Sequence, residues 1–336
     1  MSSPVSVIVL AGEGKDSRRI HDRSKLYLAF QGEPLLVRLL SALEKVPGIT
    51  GVCVVGPGQR IREVLQANEQ GAMLAEWITI VEQRDNIYEN CEAGVSHFIP
   101  EYTLEGSPIS EAQSDQSFLL LPVDMPFVTP AEITEFLTGA ANHDLDYAVG
   151  MTEEAALKAF QPADDLPGIA HNYLHLGEGN YRLNNLHLIK PFKVLNRGFI
   201  AKMYTRRHQG NVINVLQTLW DFMVAERMGP GPVGFFVYLE FLVLLRHLRL
   251  HRWVDRLRKF ASRQRVAEHT SKLLGARVAI VETRIGGCAI DIDSDEDYRA
   301  VEQRYSEWSK LIKGRIAARG DTDITVAAAA PVVVKS

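Results

Sequence analysis

Cysteine is scarce in this chain of 336 residues: Cys53, Cys91 and Cys288 lie far apart and form no CxxC pair. That argues against a paired-cysteine zinc site and a disulfide framework, and it fits a reducing, cytoplasmic compartment. Each thiol is expected to serve as a small buried apolar residue rather than a nucleophile. An excess of charge of one sign is also missing. A net charge of -4, with 23% charged and 46% hydrophobic residues, is ordinary for a soluble globular protein. It gives no global reason to expect nucleic-acid binding. His247, His251 and His269 are scattered rather than set at metal-ligand spacing. The very apolar stretch Gly234–Leu250 is interrupted by Glu240 and Arg246 and is short for a bilayer span. The N-terminus has no basic region or small-residue cleavage site, so its apolar run up to Gly12 reads as a first core strand rather than a signal peptide.

What is present is an alternation. Val5–Ala11 is almost continuously apolar, the pattern of a strand buried on both faces. Pro34 opens a helix with Leu35, Leu36, Leu39, Leu40 and Leu43 on one side. Strands come next at 51–55, 78–81, 118–123 and 147–151, with helices expected over 61–67 and 87–98 between them. Thr129-Pro-Ala-Glu132 carries the signature of a capped helix start. The alternation implies parallel strands with crossover helices, a doubly wound and mostly parallel Rossmann-like α/β sheet whose sites lie beyond the carboxyl ends of the strands. Residues 101–117 read as an exposed loop, 161–179 as irregular and 182–189 as a strand. The chain is long enough for one large domain or two medium ones. An α/β domain is expected over 1–198, a helical insertion or subdomain over 199–275, a return to the sheet over 276–318, and a disordered tail over 319–336.

Two strand ends carry chemistry. After the first strand comes Gly12-Glu-Gly14, where glycines let backbone N–H groups approach a phosphate. Lys15, Arg18, Arg19, Arg23 and Lys25 lie close enough behind it to neutralise a triphosphate. A solvated basic loop is the plainer alternative. After Leu119-Leu-Leu-Pro-Val comes Asp124, a hard-oxygen ligand suited to Mg²⁺ at a strand tip; capping of the next turn is its alternative role. A third acidic stretch, Asp291-Ile-Asp293-Ser-Asp-Glu-Asp297, comes after Gly286-Gly287. Asp291 is placed on a short strand or its end, with Asp293 on the same side, and one of the two is a candidate second metal ligand. Asp295, Glu296 and Asp297 suit the first turn of a helix capped by Ser294. The spacing does not fit a calcium loop.

These motifs, in this order, resemble the nucleoside-triphosphate transferase superfamily with the GT-A-like fold, and within it the molybdenum cofactor guanylyltransferase-like branch. The matching residues are Leu10-Ala11-Gly12-Glu-Gly14, Lys25, Gly32-Glu-Pro34-Leu-Leu36, Val123-Asp124-Met-Pro-Phe127 and the late Asp291. The resemblance covers most of 5–150 and again 278–300. It implies a nucleotidyltransferase in which Leu10, Ala11, Gly12, Gly14 and Arg18 serve the nucleotide and Gln83 and Asn90 the nucleobase. Lys25 and Asp124 act in catalysis, and Asp124 and Asp291 hold Mg²⁺. An NMP would pass from an NTP to a small phosphorylated acceptor of the sugar-, polyol- or pterin-phosphate class, and pyrophosphate would leave. Arg182, Asn184 and Asn185 are candidates for the acceptor, or simply a polar strand end. Glu13 stands where the family usually has Gly, its carboxylate expected to face the phosphates, and Asp16 stands where it usually has Arg. Those departures motivate a second reading, a catalytically degenerate nucleotide-binding or scaffold protein; a nucleotide-sugar glycosyltransferase is a third. The apolar and basic stretch 234–259 is expected to pack on the sheet or a homodimer partner, with a peripheral membrane contact as the alternative.

Overall fold

β1 (Val5–Leu10) is apolar on both faces, and each face feeds a different core. Val7 and Val9 join Leu36, Leu40, Val54 and Phe136, whereas Ile8 joins Cys53, Ala93, Val95 and Phe118. A strand with no polar face has to be covered by helices on both sides. The computed structural model describes residues 4–13, 19–21, 24–103, 106–108, 110–197, 231–320 and 332–333.

A small hairpin of β2 (Ala29–Phe30) and β3 (Glu33–Pro34) precedes the rest of the main sheet. That sheet continues with β4 (Ile49–Gly56), β5 (Ile78–Glu82), β6 (Phe118–Pro122), β7 (Tyr147–Glu153), β8 (Leu174–His175), β9 (Asn180–Ile189), β10 (Val278–Thr283) and β11 (Val332–Val333). Its order is β11-β10-β7-β9-β6-β1-β4-β5, with β8 paired to β9 off this path. Helices α1 (Leu35–Glu44), α2 (Gly58–Gln66), α3 (Glu69–Leu74) and α4 (Ile87–Phe98) connect its first half. Beyond them lie α5 (Glu111–Asp115), α6 (Pro130–Ala141), α7 (Glu154–Leu157), α8 (Gly231–His247), α9 (His251–Leu257), α10 (Arg263–Leu274) and α11 (Asp295–Gly320). The expected loop over 101–117 contains α5, started by the Ser110 side chain accepting from the Gln113 N–H at 3.2 Å.

β5, β4, β1 and β6 run parallel, as do β7 and β10. β9 lies antiparallel between β6 and β7. The cause is local: the chain between β7 and β9 holds only α7, a single 3₁₀ turn and β8, which hairpins directly into β9. Without a crossover helix the chain cannot return parallel.

β1 pairs with β4 on one side and β6 on the other, with Leu10 opposite both Val55 and Pro122. The order therefore switches at β1, and a crevice opens beyond the carboxyl ends of β1 and β6. Ala11–Gly12 and Val123–Asp124 leave the sheet side by side there.

The described part of the expected helical insertion, α8 to α10, lays Phe235, Leu239, Leu242, Val266 and Ala267 on Val149, Met151 and Ile280 of the sheet. Residues 198–230 of that segment lie outside the described residues. α11 continues to Gly320, past residue 318 where the return to the sheet was expected to end. In the tail, Val332–Val333 pairs with β10, and 321–331 and 334–336 lie outside the described residues. Among the described residues no helix is long and apolar enough to cross a membrane.

One buried carboxylate ties the late acidic stretch to this frame. Thr129 caps α6 as expected, its hydroxyl accepting from the Glu132 N–H at 3.3 Å. The Glu132 carboxylate, however, does not fold back on the cap. It is fully buried and accepts from the Thr283 hydroxyl at 2.8 Å, the Gly286 N–H at 3.1 Å and the Cys288 N–H at 2.9 Å. Burial raises its pKa, and those hydrogen bonds pull it back. Thr283 in turn accepts from Asn184 at 3.0 Å and lies 3.1 Å from Thr152. Gly287 is required in this turn, because a Cβ there would stand 2.0 Å from the Phe127 carbonyl oxygen.

Removing the clamp should be costly. Glu132→Ala leaves two backbone donors and a hydroxyl unsatisfied in the core, a loss of about 3 kcal/mol or more, read as a lowered urea midpoint. Gly287→Ala should destabilise as well. A Glu132→Ala protein within about 1 kcal/mol of wild type would show that the turn holds without it.

Candidate active site

Lys25 reaches the crevice from a 3₁₀ turn, Lys25–Tyr27. The Ser24 hydroxyl accepts from the Leu26 N–H at 3.1 Å, and Leu26 is buried in the main core, so the residue before it projects at a set angle. The Lys25 ammonium donates to Asp124 Oδ2 at 2.6 Å and to Asp293 Oδ1 at 2.8 Å. Burial works against the charged amine, but the two carboxylates outweigh it and raise its pKa. An ammonium has three donors, so two are used here.

Asp124 is held in place by the residues just after it. Met125, Phe127 and Val128 are buried, which gives the Met-Pro-Phe run a packing function: it anchors the strand tip. The second carboxylate oxygen, Asp124 Oδ1, is buried and has no hydrogen-bond partner.

Asp291 and Asp293 arrive on an extended segment that forms no strand, where a short strand or its end was expected; a 3₁₀ turn, Gly287–Ala289, precedes it. The expected alternation nevertheless holds. Ile290 and Ile292 are fully buried with Phe127, Tyr305 and Trp308, and the two aspartates turn the other way. The Ile292 N–H donates to the Asp124 carbonyl at 3.2 Å, joining the two acidic segments through backbone. Ser294 and Asp297 form the expected helix start: the Ser294 hydroxyl accepts from the Asp297 N–H and Asp297 accepts from the Asp293 N–H, both at 3.1 Å.

Arg182 of β9 donates to Asp291 Oδ1 at 2.5 Å. Burial pushes Asp291 up to about 6; Arg182 pulls it down, Asp124 and Asp293 add to the rise, and Lys25 opposes them. Three carboxylates and two cations are thus near enough to feel one another. Arg182 Nε is buried and unpartnered. Its two companions on β9 do other work. Asn184 is buried among Thr152 and Thr283, and Asn185 donates to the Cys288 carbonyl at 3.1 Å. Of the three residues expected at the acceptor, only Arg182 reaches the charge cluster.

At the neighbouring strand end, Gly12 is pressed against Asn90: a Cβ at Gly12 would stand 2.6 Å from Asn90 Nδ2 and 3.5 Å from Gln83 Oε1. Asn90 accepts from the Arg84 N–H at 2.6 Å, and Gln83 Oε1 accepts from the Glu13 N–H at 2.6 Å. Gln83 and Asn90 are therefore gathered around the loop, and the Glu13 amide already has a partner. The Glu13 carboxylate pairs with Arg60 of α2. An open cleft of about 730 Å³ lies beside this pair, bordered by Glu13, Gln83, Arg19, Arg60 and Arg62. Gly14, Lys15, Asp16, Arg18 and Arg23 lie outside the described residues.

Sequence reasoning missed Arg60, because nothing in the spacing between residues 13 and 60 links them. It also missed Glu132, whose capping-box position gave it a sufficient local explanation. Among the described residues, no three His, Cys, Asp or Glu side chains are already grouped to hold a metal.

A family model described as the MobA-like NTP transferase domain matches residues 7–219. No curated protein matches the chain. Among solved structures it is similar to a hypothetical transferase from Thermus thermophilus, at 20% identity over 88% of this chain and 99% of that one, with a TM-score of 0.49. It is similar also to 4-diphosphocytidyl-2C-methyl-D-erythritol synthase from Anaerococcus prevotii, at 12% identity over 90% and 96% of the chains, with a TM-score of 0.42. A CMP:2-keto-3-deoxy-manno-octonic acid synthetase complexed with CTP shows 14% identity over 91% and 99%, with a TM-score of 0.44.

The raised pKa of Asp291 predicts a pH slope. Between the usual carboxylate value of 3.8 and about 6, the folded protein binds a proton that the unfolded chain has lost. Stability contributed by this group is therefore present at low pH and falls as pH rises through that window. Asp291→Asn should flatten the fall in denaturation midpoints measured from pH 4 to 7 in EDTA. An unchanged slope would mean that Asp291 ionises normally.

Proposed function

The chain belongs to the MobA-like NTP transferase family, and we propose that it moves an NMP from an NTP to a small phosphorylated acceptor in a Mg²⁺-dependent reaction. The observation that carries this reading is the Lys25 ammonium held between Asp124 and Asp293 at the switch crevice, beside the Gly12 loop. A phosphate oxygen of the acceptor attacks the α-phosphorus in line. A new P–O bond forms, the bond to the β-phosphate oxygen breaks with its electron pair, and pyrophosphate leaves. No covalent intermediate on the protein is needed, so its work is positioning and neutralising charge.

Lys25 has a donor left for a phosphate oxygen after its two carboxylate bonds. Gly12 brings backbone close to the triphosphate, and Gln83 and Asn90 stand where a nucleobase would be contacted, next to the open cleft. Arg182, with its Nε unpartnered, is the candidate for the acceptor's phosphate. Asp124 and Asp291 would hold the metal. The fit rests on the buried, unpartnered Asp124 Oδ1 and on hard oxygen donors; Mg²⁺ typically takes only one or two protein carboxylates, phosphates and water filling the rest. When bound it would supply charge neutralisation at the phosphates.

The catalytically silent alternative drew on Glu13 and Asp16. The Glu13 carboxylate is neutralised by Arg60, which removes half of that support.

Asp124→Asn should lower metal-dependent pyrophosphate release by about 10²–10³-fold while leaving the circular dichroism spectrum unchanged. Activity within a few-fold of wild type, across four NTPs and a panel of sugar and polyol phosphates, would sink the assignment of Asp124. Arg60→Ala should weaken NTP binding about tenfold by leaving the Glu13 charge uncompensated beside the triphosphate. Glu13→Ala combined with it should restore the affinity, as read by titration calorimetry; failure of that rescue would mean that Arg60 acts in some other way.

A further inference from the structure

We propose that the chain docks on the surface of an anionic lipid bilayer through the outer face of α8 and α9. The proposal is independent of nucleotidyl transfer. α8 is apolar nearly all round. Its inner face, with Phe235, Leu239 and Leu242, is spent on the sheet. Its outer face carries Val237, Phe241, Leu244 and Leu248, exposed to 44%, 45%, 52% and 59%. Their spacing of four, three and four residues draws a single stripe along the helix. Trp253 of α9 and Phe260 just after it are exposed as well, at 55% and 53%. Nothing among the described residues covers the stripe on α8, and an exposed apolar stripe of this kind marks an interaction face.

Charge decides the occupant. Residues 231–260 hold six Lys and Arg side chains against Glu240 and Asp255, a local excess of four positive charges in a chain whose net charge is -4. Arg249, Arg252 and Arg256 are exposed, and none pairs with a carboxylate among the described residues. A second copy of the chain would bring the same arginines against one another, a like-charge juxtaposition that costs affinity. An anionic bilayer meets both features, taking Leu, Phe and Trp into the headgroup boundary while arginines pair with lipid phosphates.

The face is also rigid. The Tyr238 hydroxyl donates to the Leu257 carbonyl at 2.7 Å, tying α8 to the end of α9, and Arg258 Nε donates to the Leu176 carbonyl at 2.6 Å. Since no described helix can cross a bilayer, the contact is peripheral.

The test is flotation of the full chain with phosphatidylcholine vesicles, with and without phosphatidylglycerol. Binding should require the anionic lipid and disappear in high salt. Brominated lipid should quench tryptophan fluorescence, and Trp253→Phe should remove most of that quenching. Replacing Arg249, Arg252 and Arg256 together with Ala should weaken binding roughly a hundredfold, about fivefold per arginine. Phe241→Ser with Leu244→Ser should also release the protein at unchanged thermal stability. Three results would overturn the proposal: binding to neither vesicle, binding indifferent to the arginines, or a dimer dispersed by Leu244→Ser without any vesicle association. The last would give the stripe to a second copy.

Discussion

The Glu132 carboxylate is the constraint on which the geometry of the crevice rests. It sits on the first turn of α6, immediately downstream of Asp124, and grips the turn that leads to Asp291 and Asp293. Two acidic segments more than 160 residues apart in the chain are thereby held to one frame. A buried anion without partners would be untenable; here two backbone N–H groups and a hydroxyl satisfy it, and the turn it binds is itself left with fewer orphan donors. The close approach at Gly287 shows how little slack the arrangement has, since the backbone of one segment touches the backbone of the other.

That frame produces the charge cluster. Lys25 comes from the first crossover, Asp124 from the fourth parallel strand of the switch, Arg182 from the one antiparallel strand in the middle of the sheet, and the last two aspartates from beyond β10. Each cation is matched to a carboxylate: Lys25 to Asp124 and Asp293, Arg182 to Asp291. Such matching keeps several charges tolerable in a half-buried site. It also means that a polyanionic substrate would meet cations already oriented, with one donor to spare on Lys25. The Glu13–Arg60 pair applies the same logic to the loop, where an added carboxylate is neutralised by an arginine from the next helix but one.

Much of this was legible along the chain. The strand and helix alternation placed the main-sheet strands of 5–150 together with α1, α2, α4 and α6, though not β2, β3, α3 or α5, because a strand buried on both faces and an amphipathic helix leave different periodicities. Gly12 and Asp124 were found at strand ends for the same reason. The alternation of Ile290 and Ile292 with Asp291 and Asp293 was legible too, although the segment forms no strand; burial of alternate side chains needs only extended backbone. Less visible was the antiparallel β9, since strand direction is set by what the connecting segment can span. Asn184 and Asn185 were left with two open roles, because a polar residue on a strand looks the same whether it faces a substrate, a buried threonine or a backbone carbonyl.

The sequence by itself determined the local elements, the two strand ends that carry Gly12 and Asp124 and the family to which the chain belongs. These depend on short-range patterns of hydrophobicity, glycine and charge. Only the tertiary structure decided which charges pair. That Lys25 bridges Asp124 and Asp293, that Arg182 takes Asp291, that Arg60 cancels Glu13 and that the Glu132 carboxylate goes to a distant turn while its N–H stays in the cap are outcomes of packing. Electrostatic partners are chosen by distance in space, and strand order and burial set those distances after the local pattern has been spent.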